Sequence, residues 1–352
     1  FWLKRTSGPG SSGALPWPSR RGDVHMPLGP LRLVALAATA SGGAGEVPLR
    51  RAPFRGYHKR EHPAVRASYV DTHIELRRDD ERSEHASLPV GYDVAMRGLH
   101  GGDFWAKGQE LEAMWAMLGI DGTDLASPSA APRFLSSLVH FLRPRFVIEV
   151  GVFLGYSSVV LAKALSVLWP EDPEPFVLAV DTWLGDAYHW STKRNFACQD
   201  CAKNYFDLLR TRHGMPLLYY QFLRNLRDTG MQRRVVPLPL VASEAARVLD
   251  YKAWRPDLIY IDASHDTPDV LMDLEHYWFL LSCDGTMFGD DYHWEPVQLA
   301  VDTFARLRNL NTTAFWVVGK DTSEQTLPYE GEWHWDGWAN SKWVTSRKEC
   351  AS

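Results

Sequence analysis

The chain has 352 residues, of which 45% are hydrophobic and 23% charged, the composition of an ordinary globular protein with room for one large domain. Its formal charge of -5 excludes the basic footprint that nucleic-acid binding usually leaves. Four cysteines in this length exclude a disulfide scaffold and make a reducing, cytoplasmic compartment the default.

Residues 1–60 are rich in Gly, Pro, Ser and Arg, with Asp23 and Glu46 as their only acids. We expect a disordered leader or a targeting segment here. The stretch Met26–Gly45 has a short apolar core followed by small residues, so organelle or secretory targeting follows if the leader is real. That apolar run is far short of a membrane span, and none is expected. Residues 61–100 (with RRDDERSEH) read as a polar lead-in, and 101–350 as the folded domain.

Helical spacing of apolar residues predicts helices over Gln109–Leu118 and Ala131–Leu142, the second stopped by Pro144. Phe146–Val150 reads as a buried strand, Tyr156–Trp169 as a helix, and Phe176–Val180 as a second strand ending at Asp181. A polar and aromatic insertion, 182–230, is expected to hold helices Gln199–His213 and Leu217–Thr229. Then follow strand Val235–Leu238, helix Glu244–Leu249, strand Leu258–Ile261, helix Val270–Leu281, strand Thr286–Phe288 and helix Pro296–Leu307. Phe315–Val318 and Trp343–Val344 supply the last two strands. Strands alternating with helices predict an α/β fold, doubly wound, with a mostly parallel seven-stranded sheet. Ligands of such sheets bind beyond the carboxyl ends of the strands. Acids stand at or next to several of those ends: Glu149, Asp181, Asp262, Asp290 and Asp291.

The run FVIEVGVFLGYSS carries Glu149 ahead of Gly151 and Gly155, with Tyr156, Ser157 and Ser158 opening a helix. The glycines permit a tight turn and a close approach to a ligand, and the helix start offers free N–H groups. The spacing G-x-x-x-G is not the G-x-G-x-x-G of pyrophosphate sites, and Glu149 would repel a phosphate. A carboxylate there suits an amine or a sulfonium, and Asp181 is placed to accept from ribose hydroxyls. A nucleoside with a cationic tail, S-adenosylmethionine (SAM), fits both.

Asp262, Asp290 and Asp291 are expected to converge, and three carboxylates repel unless a cation binds. Oxygen ligands suit a divalent metal, Mg²⁺ first. Adjacent Asp290 and Asp291 can share it only if the strand has ended by Gly289. His265 is the candidate general base for a hydroxyl acceptor, with His293 and Asp266 behind it.

The pattern E-x-G-x-x-x-G-Y-S-S, Glu149 to Ser158, resembles the first motif of class I SAM-dependent methyltransferases, nearest to the catechol and caffeoyl-CoA O-methyltransferase type. VDTWLGD (Val180–Asp186), RHGMPLLYYQFLRN (Arg212–Asn225), DLIYIDASHD (Asp257–Asp266) and GTMFGDDYHW (Gly285–Trp294) resemble the macrolide-sugar O-methyltransferases. The resemblance covers roughly residues 110–320. It implies a Rossmann-like class I methyltransferase fold and a metal at Asp262, Asp290 and Asp291. It also implies adenine contact near Ser243, and a sugar or small-molecule hydroxyl as acceptor with His265 in the base position.

Two alternatives stand beside it: a nicotinamide-linked oxidoreductase, against which the missing G-x-G-x-x-G speaks, and a SAM-binding module without catalysis. Cys198 and Cys201 have zinc-ligand spacing but no second pair, so they read as packed or surface cysteines. Trp183, Tyr188, His189 and Trp190 are expected to roof the pocket, and the aromatics of Gly331–Trp338 to pack on the sheet. The acceptor's identity is not written in the sequence, and a homo-oligomer stays open.

Overall fold

The computed structural model describes residues 90–125, 132–186, 190, 207, 209–318, 323–326, 339–345 and 348. The expected leader, Cys198, Cys201, Tyr188, His189 and Gly331–Trp338 lie outside these residues.

An eight-stranded sheet forms the centre, in the order β5-β2-β1-β6-β7-β10-β8-β9. Five strands run parallel: β1 (Phe146–Val150), β2 (Phe176–Val180), β5 (Val235–Leu238), β6 (Leu258–Ile261) and β7 (Thr286–Gly289). Then β8 (Thr312–Val318), β9 (Ser323–Thr326) and β10 (Ala339–Thr345) join antiparallel. All seven expected strands are present, and Ser323–Thr326 adds an eighth at the edge. A buried central strand is a near-continuous apolar run, which is why these short segments were readable.

Helices cover both faces. Phe146, Ile148 and Val150 point to one, with β2 residues Phe176, Leu178 and Val180. Against them pack α1 (Tyr92–His100), α6 (Ala242–Tyr251), α7 (Thr267–Leu280) and α8 (Glu295–Arg308). Val147, Val177, Ala179 and Tyr260 face the other layer: α2 (Gly108–Leu118), α3 (Pro132–Leu142), α4 (Tyr156–Leu168) and α5 (Leu217–Asp228). The sheet is therefore doubly wound.

Three details differ from the sequence reading. The lead-in holds α1, because Tyr92, Ala95 and Met96 form a helical stripe buried on the sheet within a polar string. Most of the predicted helix Gln199–His213 lies outside the described residues, and its last residues belong to a hairpin, β3 (Thr211–Arg212) and β4 (Met215–Pro216). His213 at φ 53° and Gly214 at φ 80° make the two left-handed positions that a tight hairpin turn needs. Finally, Cys283 is disulfide-bonded, a pairing that the sequence reading did not expect. Among the described residues no helix is long and apolar enough to cross a membrane.

The chain runs outward from β1 to β2 and β5, then returns to place β6 on the other side of β1. That reversal opens a crevice at the carboxyl ends of β1 and β6, the usual ligand position of open α/β sheets.

Candidate active site at the strand reversal

Gly151 follows β1 at φ 85°. A Cβ there would stand 1.9 Å from the Asp262 carbonyl oxygen, so only glycine lets the turn lie against the end of β6. Gly155, at φ 81°, is required by a protein contact too: a Cβ would meet the Phe222 ring at 2.5 Å. Asn225 holds the same turn from below, its Nδ2 donating to the Leu154 carbonyl at 2.8 Å.

The two acids of this turn are occupied by the protein. Glu149 is wholly buried, and its two oxygens accept hydrogen bonds from the Ser157 and Ser158 hydroxyls at the start of α4. Burial pushes its carboxyl up to about 8, against the pull of the two serines. Asp181 Oδ2 accepts from the N–H groups of Val152 at 2.8 Å and Phe153 at 2.9 Å, while Oδ1 accepts from Trp183 N at 2.7 Å. These bonds hold Phe153 and Trp183, both at φ 53°. Trp183 does not roof the pocket: it is fully buried and stacks on Phe222. Tyr156 and Ser243 are partly exposed at the first turns of α4 and α6.

Across Gly151 lies the second acid group. Ligand atoms of Asp262, His265 and Asp291 all fall within 4.8 Å of one another. His265 Nε2 bonds Asp291 Oδ2 at 2.7 Å, and its ring packs 4.5 Å from that of Trp294. Burial lowers the imidazole. The bond to Asp291 and the charges of Asp291, Asp262 and Asp290 outweigh it and lift His265 to about 9. Burial raises Asp262, with Asp291 adding to the rise. Burial also acts to raise Asp291, but the bond from His265 leaves it lowered.

Asp290 does not join them. Its Oδ2 is ion-paired with Lys342 and lies 3.3 Å from the Tyr260 hydroxyl, and its Oδ1 accepts from Asp291 N at 2.8 Å. The expected ligand set of Asp262, Asp290 and Asp291 is thus divided. Asp290 continues the β7 ladder, donating its N–H to Ile261 O at 3.1 Å. Asp291 turns to φ 56° and swings to the His265 side.

Tyr260 and Lys342 were missed by the sequence reading. Tyr260 stands two residues before Asp262 on the same strand face, a period-2 signal that could have found it. Its hydroxyl donates to Asp262 Oδ2 at 2.9 Å, and its ring stacks 4.6 Å from that of Phe288. Lys342 had no such signal, since its approach depends on the β10 register. Asp262, His265 and Asp291, with Val270, Val297 and Trp343, line a small cleft. Trp343 Nε1 is buried there and has no hydrogen-bond partner among the described residues, which leaves a donor for an oxygen-bearing ligand.

Two carboxylate oxygens and an imidazole nitrogen, close together beside waters or substrate oxygens, fit a divalent ion. The same set also offers a carboxylate-oriented histidine able to move a proton.

An open α/β sheet with a glycine turn and helix start at its strand reversal has the crevice in which such sheets usually bind their ligands. Residues 148–292 match a family model described as a methyltransferase domain. Among solved structures, it is similar to an O-methyltransferase from Bacillus cereus in complex with SAH. That similarity is at 17% identity and TM-score 0.40, covering 72% of this chain and 96% of the other. It is also similar to the O-methyltransferase TomG from Streptomyces achromogenes, involved in tomaymycin synthesis and in complex with SAM. There the identity is 15% and the TM-score 0.42, over 73% of this chain and 95% of the other. No curated protein sequence matches the chain.

Proposed function

We propose that the protein transfers the methyl group of SAM to a hydroxyl of a small molecule or sugar, with a divalent cation, Mg²⁺ or Mn²⁺, held at Asp262 and Asp291. The observation that carries this is the contact of Gly151 with the Asp262 carbonyl. It joins the cofactor turn of a methyltransferase domain directly to a cluster of two carboxylates and a histidine. The oxygen-directed reading is further supported by the unpaired Trp343 Nε1 in the cleft.

In this reading the turn Gly151–Ser157, including Gly155 and Tyr156, receives the methionine part of SAM, Asp181 the ribose and Ser243 the adenine. Asp181 gives three of its roughly four acceptor positions to backbone N–H groups and keeps about one for a ribose hydroxyl. Glu149 acts from behind: it anchors Ser157 and Ser158 and so fixes the start of α4.

The acceptor oxygen attacks the sulfonium methyl in line. The S–CH₃ bond breaks as O–CH₃ forms, the sulfonium becomes a thioether, and His265, oriented by Asp291, takes the hydroxyl proton in its neutral form, which requires the carboxylate charges that raise it to be offset by a cation. Asp262 and Asp291 would hold the divalent ion, which would supply positive charge to lower the hydroxyl pKa. The methyltransferase match sets the nicotinamide reading aside.

Calorimetry of the purified chain with SAH, followed by turnover on a hydroxyl library with and without Mg²⁺, tests the proposal. SAH binding with metal-stimulated transfer to oxygen is expected. Binding without transfer to any hydroxyl would favour a module that has lost catalysis. His265→Ala should abolish transfer and leave Mn²⁺ affinity unchanged; loss of Mn²⁺ binding instead would make His265 a ligand and not the base.

A further inference from the structure

We infer that Lys342 is a positioning residue that sets the composition of the cation site, by claiming Asp290 for itself and leaving Asp262 and Asp291 to the ion. This rests on the metal-assisted reading above.

The register of β10 on β7 brings Lys342 there. Trp343 pairs with Gly289 and Val344 with Phe288 in antiparallel alignment. The next residue toward the strand end, Lys342, therefore lies opposite Asp290. The register is locked by shape, because a Cβ on Gly289 would stand 2.3 Å from the Trp343 ring. A slip of one residue would turn the lysine to the other face. Lys342 is fully buried, as are Tyr260 and, very nearly, Asp290. Its ammonium pairs with Asp290 Oδ2 and lies 3.2 Å from the Tyr260 hydroxyl, which in turn holds Asp262 Oδ2.

Charge accounting explains why the division matters. Three carboxylates around one divalent ion would leave an excess negative charge in a buried site, which is costly unless compensated. With Lys342 opposite Asp290, that pair is neutral by itself. The remaining two carboxylates then match a divalent ion. Asp290 has both oxygens committed, one to Lys342 and one to the Asp291 N–H. Tyr260 carries the effect onward, since the hydroxyl that donates to Asp262 is also the one that Lys342 touches.

The test is Mn²⁺ binding by the full chain, read by electron paramagnetic resonance and by calorimetry, with Mg²⁺ as competitor. Lys342→Met should tighten Mn²⁺ by ~10-fold, the size of effect typical of groups that act through a ligand, because Asp290 is released toward the ion. The double variant Lys342→Met/Asp290→Asn should return to within about threefold of the wild-type affinity. If Lys342→Met fails to fold, the double variant still decides, because it removes the buried charge with its partner. A ~100-fold loss in that variant would make Asp290 a ligand and overturn the proposal. An unchanged affinity in a folded Lys342→Met would do the same. A wild-type chain that binds no Mn²⁺ at millimolar concentration would overturn the metal-assisted reading and this inference with it. Loss confined to the double variant would strike the inference alone.

Discussion

The two acid-bearing regions at the strand reversal use their carboxylates in opposite ways. On the glycine-turn side, Glu149 and Asp181 spend their oxygens on two serine hydroxyls and three backbone N–H groups. They give the turn its shape. On the other side, Asp262 and Asp291 crowd against each other around His265, beside an unpaired indole N–H. An acid whose acceptor sites are filled by its own chain builds a pocket; acids left facing one another call for a cation or a proton. The contrast teaches that an acid at a strand end is not by itself a ligand contact, and that its partners decide its role.

The sharpest way to break the comparison is at the crowded side. Asp262→Asn or Asp291→Asn should lower turnover by roughly 100-fold or more and weaken Mn²⁺ binding, while SAH affinity stays near wild type. Equal loss of SAH affinity, measured by calorimetry, would show that the two regions are not separable. On the turn side the expected damage is to the fold. Gly151→Ala forces a methyl into the Asp262 carbonyl at a left-handed φ and should cost about 3 kcal/mol or more in urea unfolding.

A gentler probe is Glu149→Ala, which leaves the Ser157 and Ser158 hydroxyls without their buried acceptor. A loss of about 1–3 kcal/mol is expected, together with weaker SAH binding through the loosened α4 start. An SAH affinity that ignored the change would deny Glu149 its bracing role. Away from both regions, Asp273 is buried on α7, and burial raises its carboxyl to about 7. The folded state therefore holds this proton more tightly than the unfolded state. The stability it permits is complete below the unfolded value near 4 and is lost as pH rises toward about 7. Asp273→Asn should flatten that slope, worth at most about 4 kcal/mol in this window, and parallel denaturation curves at pH 5 and 8 would reveal it.

The smallest effect is expected at Trp343. Its indole N–H has no partner to lose, so Trp343→Phe should change stability by only about 1 kcal/mol while raising the KM of an oxygen-bearing acceptor. A KM that did not move would remove the indole from the acceptor site.

Much was legible without coordinates. The five parallel strands are short, apolar and bounded by turn residues, and strict alternation with helices leaves few topologies open. The expected convergence of Asp262, Asp290 and Asp291 was legible in part: Asp262 and Asp291 meet, with His265 between them, while Asp290 pairs with Lys342. The hairpin at Thr211–Pro216 and helix α1 were less visible. The hairpin turns on two left-handed residues, and the buried stripe of α1 is only three side chains in a polar string.

By itself the sequence determined the sheet, its doubly wound cover and the two places where acids gather, because hydrophobic period and glycine placement are local properties. Only the tertiary structure decided what each acid touches. Glu149 meets serines eight and nine residues away, Asp181 the turn before the preceding helix, and Asp290 a lysine 52 residues on, on an antiparallel strand. Such pairings are set by strand register and helix packing, which no local pattern encodes.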